Sequence, residues 1–394
     1  MTRSRHPVLS LDQLNRATLA RQLLLDRSRD GLTATIERIG GLQAQEPASP
    51  YIGLWSRLVD FDPVTLDRAF RERRVVKATL VRATLHVVSR ADYERLIPAV
   101  LPILHGLTRR DRWGGPPADA LDRLAAAAAD YAAVPRSNVE MRDHVGSLVD
   151  GISADDAWWW VVRHVPFVRT PSAVPWSFGR TATFAAAVSW LRGIAFSPEP
   201  QGIEHLVRRY LGAFGPASAA DVAAWSGLAV SRFRPAIAAI DGAGDLRRFW
   251  DEAGRELIDL VGAPLPDPRI EAPPRLLPMW DSVLLAHANR SRILSDQDRA
   301  LVIGRNGDTL PTFLVDGRVA GLWWAEAAPS GESLNRIVLE PFRRLDRGVV
   351  RELEREGARL AAMVGPREPT VYRRYRASRA RRLVPGQRGQ AATT

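Results

Sequence analysis

Residues 215–240, GPASAADVAAWSGLAVSRFRPAIAAI, decide the fold. Ser218 to Trp225 reads as a short helix, Ser226-Gly227-Leu228 as a tight turn, and Ser231 to Ile240 as a second helix, which is helix-turn-helix spacing. Two strand-like runs follow, DLRRFW (245–250) and RELIDLV (255–261), joined around Ala253-Gly254. A β-wing is expected there, directly behind the helices.

The same order recurs upstream. Leu11 to Leu25 carries apolar residues at helical spacing with Ser10 as N-cap, and helical segments around Thr33–Gln43 and Leu66–Arg73 follow. The runs RRVVKATLV (73–81) and ATLHVVS (83–89) then read as strands. In the middle of the chain, residues 119–134, 138–149 and 155–164 read as helices, and FVRTPSAVPWSFGR (167–180) as strand, Pro-broken loop, strand. The three copies share element order and no detectable sequence identity. A Pro-rich linker, Pro264 to Pro278, precedes a region of strands near ALVIG, PTFLVD and RVAGLWW, with Asp316-Gly317 as a two-residue hairpin turn and a helix over Arg351–Met363. The expected fold class is α+β, mainly α. Winged-helix modules are expected over 1–104, 105–195 and 196–265, a mixed α+β region over 266–370, and a flexible Arg-rich tail over 371–394.

The 394 residues exceed what one ordinary core requires, and 46% hydrophobic against 25% charged is a globular balance. No apolar run suits a membrane span and no secretory leader is evident, so the cytoplasm, in association with the nucleoid, is the expected location. The absence of cysteine excludes disulfides, thiolate metal sites and Cys nucleophiles. A net charge of +11 favours a polyanionic partner, although Arg373, Arg374, Arg376, Arg379, Arg381, Arg382 and Arg388 concentrate part of it in the tail. Lys77 is the sole lysine, and the arginine bias fits phosphate recognition or genomic base composition equally.

Walker, HExxH, GxSxG and GxGxxG strings are absent. The seven histidines are scattered, so neither a metal nor a cofactor is expected. The unusual stretch is GLQAQEPASPYIGLWSRL (41–58), where Gln43 and Gln45 flank one small residue as a helix ends before Pro47. In extended backbone alternate side chains share a side, so two amides at this spacing can converge on one water or sugar edge. On spacing alone, two ordinary polar residues of a solvated turn are the favoured reading.

Taken together, LNRATLARQLLLDR (14–27), residues 41–58, LVRATLHVVSRADY (80–93), LPMWDSVLLAHANRSRI (277–293) and TFLVDGRVAGLW (312–323) resemble the winged-helix DNA glycosylase family typified by the azinomycin-resistance glycosylase. The resemblance spans nearly the whole chain. It implies tandem winged helices in a C-shaped arrangement and a catalytic motif of Gln, an apolar residue, then Gln or Asp, which Gln43-Ala44-Gln45 matches. It implies hydrolysis of the N-glycosidic bond of N7- or N3-alkylated purines, including bulky natural-product adducts or interstrand crosslinks, in repair or self-resistance. The partner is then double-stranded DNA carrying alkylated purines, engaged by a monomer, with Gln43 and Gln45 catalytic and Glu46 either an accessory group or a solvated charge. The alternative is a non-catalytic winged-helix transcriptional regulator. With one lysine, in a strand-like run, a monofunctional enzyme is expected unless Lys77 or the N-terminal amine faces the sugar.

Further DNA-contact candidates follow from pattern. Strand alternation over RATLH puts Arg82, Thr84 and His86 on one face, with His86 read either as a nucleotide contact or, the favoured reading, as a satisfied structural histidine. His287, Arg290 and Arg292 read either as phosphate ligands, the favoured reading, or as an ion-pair network with Asp281. Arg305 heads a hairpin tip, Arg305-Asn306-Gly307-Asp308, and Ser231, Arg232 and Arg234 open the presumed recognition helix. The tryptophans at 158–160 and 323–324 read as core rather than as base-stacking platforms.

Overall fold

The computed structural model describes residues 7–109, 118–179, 181–327 and 335–375. The tail arginines beyond Tyr375 and the N-terminal amine lie outside the described residues.

The chain runs through β1 (Val8–Leu9), α1 (Leu11–Arg21), α2 (Leu32–Arg38), β2 (Leu42–Gln43), α3 (Ser49–Trp55), α4 (Pro63–Arg71), β3 (Val75–Thr79) and β4 (Leu85–Ser89). Ser10 caps α1 in a capping box with Gln13, satisfying two orphan helix-end donors. The helix expected over Thr33–Gln43 stops at Arg38, because Gly40 and Gly41 take φ of 76° and 84°, which terminates it and launches β2. The buried α3 had no periodicity to separate it from the proline-rich turn before it. A long helix, α5 (Arg90–Arg109), then crosses the boundary expected at 104/105.

The second set comprises α6 (Ala118–Tyr131), β5 (Arg136–Ser137), α7 (Asn138–Gly146), α8 (Ala154–His164), β6 (Phe167–Arg169) and β7 (Thr183–Ala186). Its strands do not stand alone. They join the first set in one six-stranded sheet of order β2-β4-β3-β6-β7-β5, with Lys77 of β3 opposite Arg169 of β6. This long-range pairing has no local sequence signature.

After α9 (Ala187–Trp190) and α10 (Glu199–Phe214) come α11 (Ala219–Ser226) and α12 (Val230–Gly242), then the hairpin β8 (Leu246–Asp251) and β9 (Glu256–Leu260). Ser218 and Asp221 form the capping box of α11, and Gly227 ends it at φ 80°. β1 adds in parallel to β8, so the N-terminal segment completes the third sheet. The C-terminal region holds β10 (Arg275–Leu277), α13 (Asp296–Val302), β11 (Thr312–Val315), β12 (Arg318–Glu326), β13 (Arg336–Pro341) and α14 (Arg347–Val364), its strands in simple sequence order. Asp316 and Gly317 both take positive φ, as their hairpin requires.

Two large cores hold these elements together. One packs α5, α10, α11 and α12 against one face of the six-stranded sheet, and the other packs α3 and α14 against its opposite face and the C-terminal strands. Trp158, Trp160, Trp323 and Trp324 are buried. Arg21 of α1 and Asp259 of β9 form a fully buried bidentate pair, and Asn15 of α1 donates to the carbonyls of Arg292 and Gly317. α1 thereby ties the third set to the C-terminal region. Among the described residues no helix is long and apolar enough to cross a membrane.

Candidate active site

The glycine pair before β2 sets the site. A Cβ on Gly41 would lie 2.9 Å from Val88 Cγ1 and 3.2 Å from the Val87 carbonyl oxygen, so β2 can press against β4 only without a side chain there. Gln43 then lies directly opposite His86. Beyond the strand the Ala44 amide still donates to the Leu85 carbonyl at 2.7 Å.

The two glutamine amides are anchored differently. Gln43 is buried, and its Oε1 accepts from Arg82 Nη2 at 3.2 Å. Gln45 is exposed, and its Oε1 accepts from the Leu85 amide at 2.9 Å, extending the β2–β4 ladder with a side chain. The carbonyl end of Gln43 is thereby held by the turn before β4, and that of Gln45 by the first residue of β4. Each such oxygen has a second lone pair, and neither Nε2 has a hydrogen-bond partner among the described residues. The convergence expected from extended spacing is only partial, since Gln45 borders a large cleft that Gln43 does not line.

Arg82 does not follow the strand alternation expected for RATLH. Residues 81–83 form a tight turn with Arg82 and Ala83 at φ of 55° and 57°, a left-handed conformation that costs non-glycine residues about 1–3 kcal/mol each. The turn swings Arg82 across to donate to the Trp225 carbonyl of α11 at 2.6 Å as well as to Gln43. Burial, and then the charge of Arg290, lower its pKa to about 10, so it stays cationic. Thr84 donates to the Val81 carbonyl at 3.1 Å, a structural bond within the same turn.

Of its two readings His86 takes the structural one, as a core residue, and not that of a nucleotide contact. Its Nδ1 pairs with the Thr84 carbonyl at 3.0 Å, its Nε2 is fully buried without a partner, and burial lowers its pKa to about 3. A neutral imidazole beneath Gln43 is the result. His287 and Arg292 are likewise withdrawn from phosphate. His287 Nε2 donates to the Phe214 carbonyl, and Arg292 donates to the Pro216 carbonyl from full burial. Asp281 binds neither, being engaged bidentately by Arg57. Arg290 differs: half-buried, it donates to the Leu284 carbonyl, has no carboxylate partner among the described residues, and faces Arg82. Arg305 is exposed at the tip of a turn closed by the Ile303–Thr309 bridge. Ser231, Arg232 and Arg234 are exposed on α12, with Arg232 ion-paired to Glu199.

Beside Gln45 opens a cleft of about 1220 Å³. Glu46 on its wall accepts from the Tyr375 hydroxyl at 2.5 Å and from Arg374, which fixes this carboxylate and ties the loop after β2 to the C-terminal turn. Lys77 and Arg169, paired across β3 and β6, line the same cleft. Arg169 stacks 3.7 Å from the Phe184 ring centroid, and burial lowers its pKa to about 10. Arg169 and Tyr375 escape notice in the sequence, and Arg374 falls in the tail expected to be flexible over 371–394, whereas Val371 and Tyr372 are buried and Arg374 and Tyr375 bond to Glu46; only long-range packing brings these residues to the site. The one available hint was the arginine embedded in a strand-like FVR run.

A family model described as DNA glycosylase AlkZ-like matches residues 36–363. The chain is 24% identical over 388 residues to an interstrand DNA cross-link repair glycosylase of Streptomyces sahachiroi, covering 88% of this chain and 94% of that one. The fold matches the solved structure of the Streptomyces sahachiroi DNA glycosylase AlkZ with a TM-score of 0.73 at 19% identity, over 91% of this chain and 97% of the other.

Proposed function

Because the chain belongs to the AlkZ-like DNA glycosylase family, we propose that it hydrolyses the N-glycosidic bond of N7- or N3-alkylated purines in double-stranded DNA, with Gln43 and Gln45 as the catalytic pair. The relative from Streptomyces sahachiroi is named for interstrand cross-link repair, and a bulky or crosslinked purine adduct is the substrate class proposed for this chain as well.

The observation that carries the reading is the pair of anchored amides at the end of β2 and just beyond it, the second bordering a cleft lined by Lys77, Arg169 and Arg374. A purine alkylated at N7 or N3 is already positively charged and departs readily, so no strong general acid is needed. What remains is to place a water behind C1′ and to stabilise an oxocarbenium-like sugar. A fixed amide carbonyl with a free lone pair does both, by accepting a hydrogen bond that orients the water or by lying against the positive sugar, the water's proton passing to solvent. Arg82 is the positioning residue for Gln43, and the Leu85 amide holds Gln45.

DNA engagement follows from charge. Arg290 and Arg305 have no carboxylate partner among the described residues, whereas arginines such as Arg21, Arg57 and Arg367 are neutralised by acids. Unspent guanidinium groups serve phosphates. The helical sets with their hairpins are read as tandem winged helices in a C-shaped array around the duplex, acting as a monomer. Arg232 at the start of α12 is spent on Glu199, which disfavours a regulator reading bases from that helix.

The test is chromatographic detection of free base from duplex DNA carrying 7-methylguanine or a bulkier N7 adduct. Release by the purified protein is expected. Duplex binding without release from either substrate contradicts the proposal.

A further inference from the structure

All but one of the 55 Lys and Arg residues are arginine, and the exception, Lys77, sits in the wall of the cleft beside Gln45. Its position on β3 aims the side chain between Val87 and Arg169 of the flanking strands. The residue is 5% exposed, and its Nζ lies 4.5 Å from the Phe178 ring centroid. The nitrogen makes no hydrogen bond or ion pair among the described residues and is not fully enclosed, so it meets the cleft. An arginine there would serve any purely structural cation–ring contact. The property arginine lacks is the ability to shed its proton. Burial, and then the charge of Arg169, lower the Lys77 pKa to about 7, with Glu46 opposing.

We propose that Lys77 is a nucleophilic amine that captures the deoxyribose left in the cleft once the purine has departed. The inference rests on the reading of this cleft as the glycosylase site. The abasic sugar opens to an aldehyde at C1′. Neutral Nζ adds to C1′, the former carbonyl oxygen gains a proton, and the carbinolamine loses water to give a protonated imine. The iminium acidifies C2′. Loss of a C2′ proton to solvent water sends its electron pair into a C2′–C3′ double bond and breaks the C3′–O bond, expelling the phosphate of the 3′ strand. Water then hydrolyses the imine and restores Lys77. The expectation of a monofunctional enzyme made an exception for a lysine facing the sugar, and Lys77 lines the cleft that Gln45 borders.

The experiment uses duplex DNA with a preformed abasic site, so that capture does not depend on base release, and sodium cyanoborohydride to reduce any imine. A denaturation-stable protein–DNA adduct is expected, mapping by mass spectrometry to the Lys77 peptide and lost in both Lys77→Met and Lys77→Arg. Because the mapping is done on the unaltered protein, a misfolded variant does not compromise the result. An adduct at the N-terminal amine, an adduct that persists in Lys77→Met, or no adduct from protein bound to the duplex overturns the proposal. Release of 7-methylguanine without trapping leaves the glycosylase reading standing and removes this one. Trapping without base release on any alkylated duplex does the reverse.

Discussion

At the residue scale, the chain keeps a buried lysine where an uncharged methionine would avoid the penalty of desolvating an ammonium. The Lys77 pKa falls from 10.5 to about 7 on folding because burial penalises the ammonium. A lowered lysine pKa destabilises the folded state fully below the folded value and not at all above the unfolded one. Lys77→Met should therefore raise stability by on the order of a few kcal/mol at and below neutral pH, with the gain vanishing as pH rises from about 7 to 10.5. Denaturant melts at several pH values check both sign and window. Equal stability at all pH values would show that the amine is already hydrated. The Gln43–Ala44–Gln45 motif was legible in the sequence because two amides around one small residue are unusual. The fates of His86, His287 and Arg292 were not, since a histidine or arginine satisfied by main-chain carbonyls looks in sequence just like one that waits for phosphate.

At the element scale, the site depends on how tightly β2 lies on β4. Gly41 combines φ of 84° with a would-be Cβ 2.9 Å from Val88. Gly41→Ala should cost about 1–3 kcal/mol of stability through backbone strain and a forced shift of β2. A chemical denaturation midpoint lowered with unchanged m-value is the expected readout, accompanied by slower base release as Gln43 shifts. A variant as stable as the parent would mean that β2 is less closely held than its register implies. The helix-turn-helix at α11–α12 and the hairpins were readable because caps and turns are local chemistry: Ser218, Gly227 and Asp316-Gly317 each act within a few residues. α3 and the β3–β6 pairing were not, because a buried seven-residue helix has too few turns for a period and strand partners far apart in sequence leave no local mark.

At the scale of the whole molecule, one sheet unites the first two sets, β1 joins the third, and α1 links the third to the C-terminal region. Arg82 bonds to both Gln43 and α11, so the site lies at a junction of sets rather than inside one. Duplex affinity should fall linearly on logarithmic axes with salt, and Arg290→Ala should lower that slope by about 1 if its charge meets a phosphate. An unchanged slope would assign Arg290 to the fold alone. The central claim is that Gln43 and Gln45 perform the chemistry. It is tested most directly by single-turnover release of 7-methylguanine from duplex DNA by the parent protein, Gln43→Ala and Gln45→Ala at saturating protein. The account predicts that both variants bind the duplex as the parent does and lose most of its rate, by about 100-fold or more, as when an oriented catalytic group is removed. Parent-like rates from either variant would contradict it.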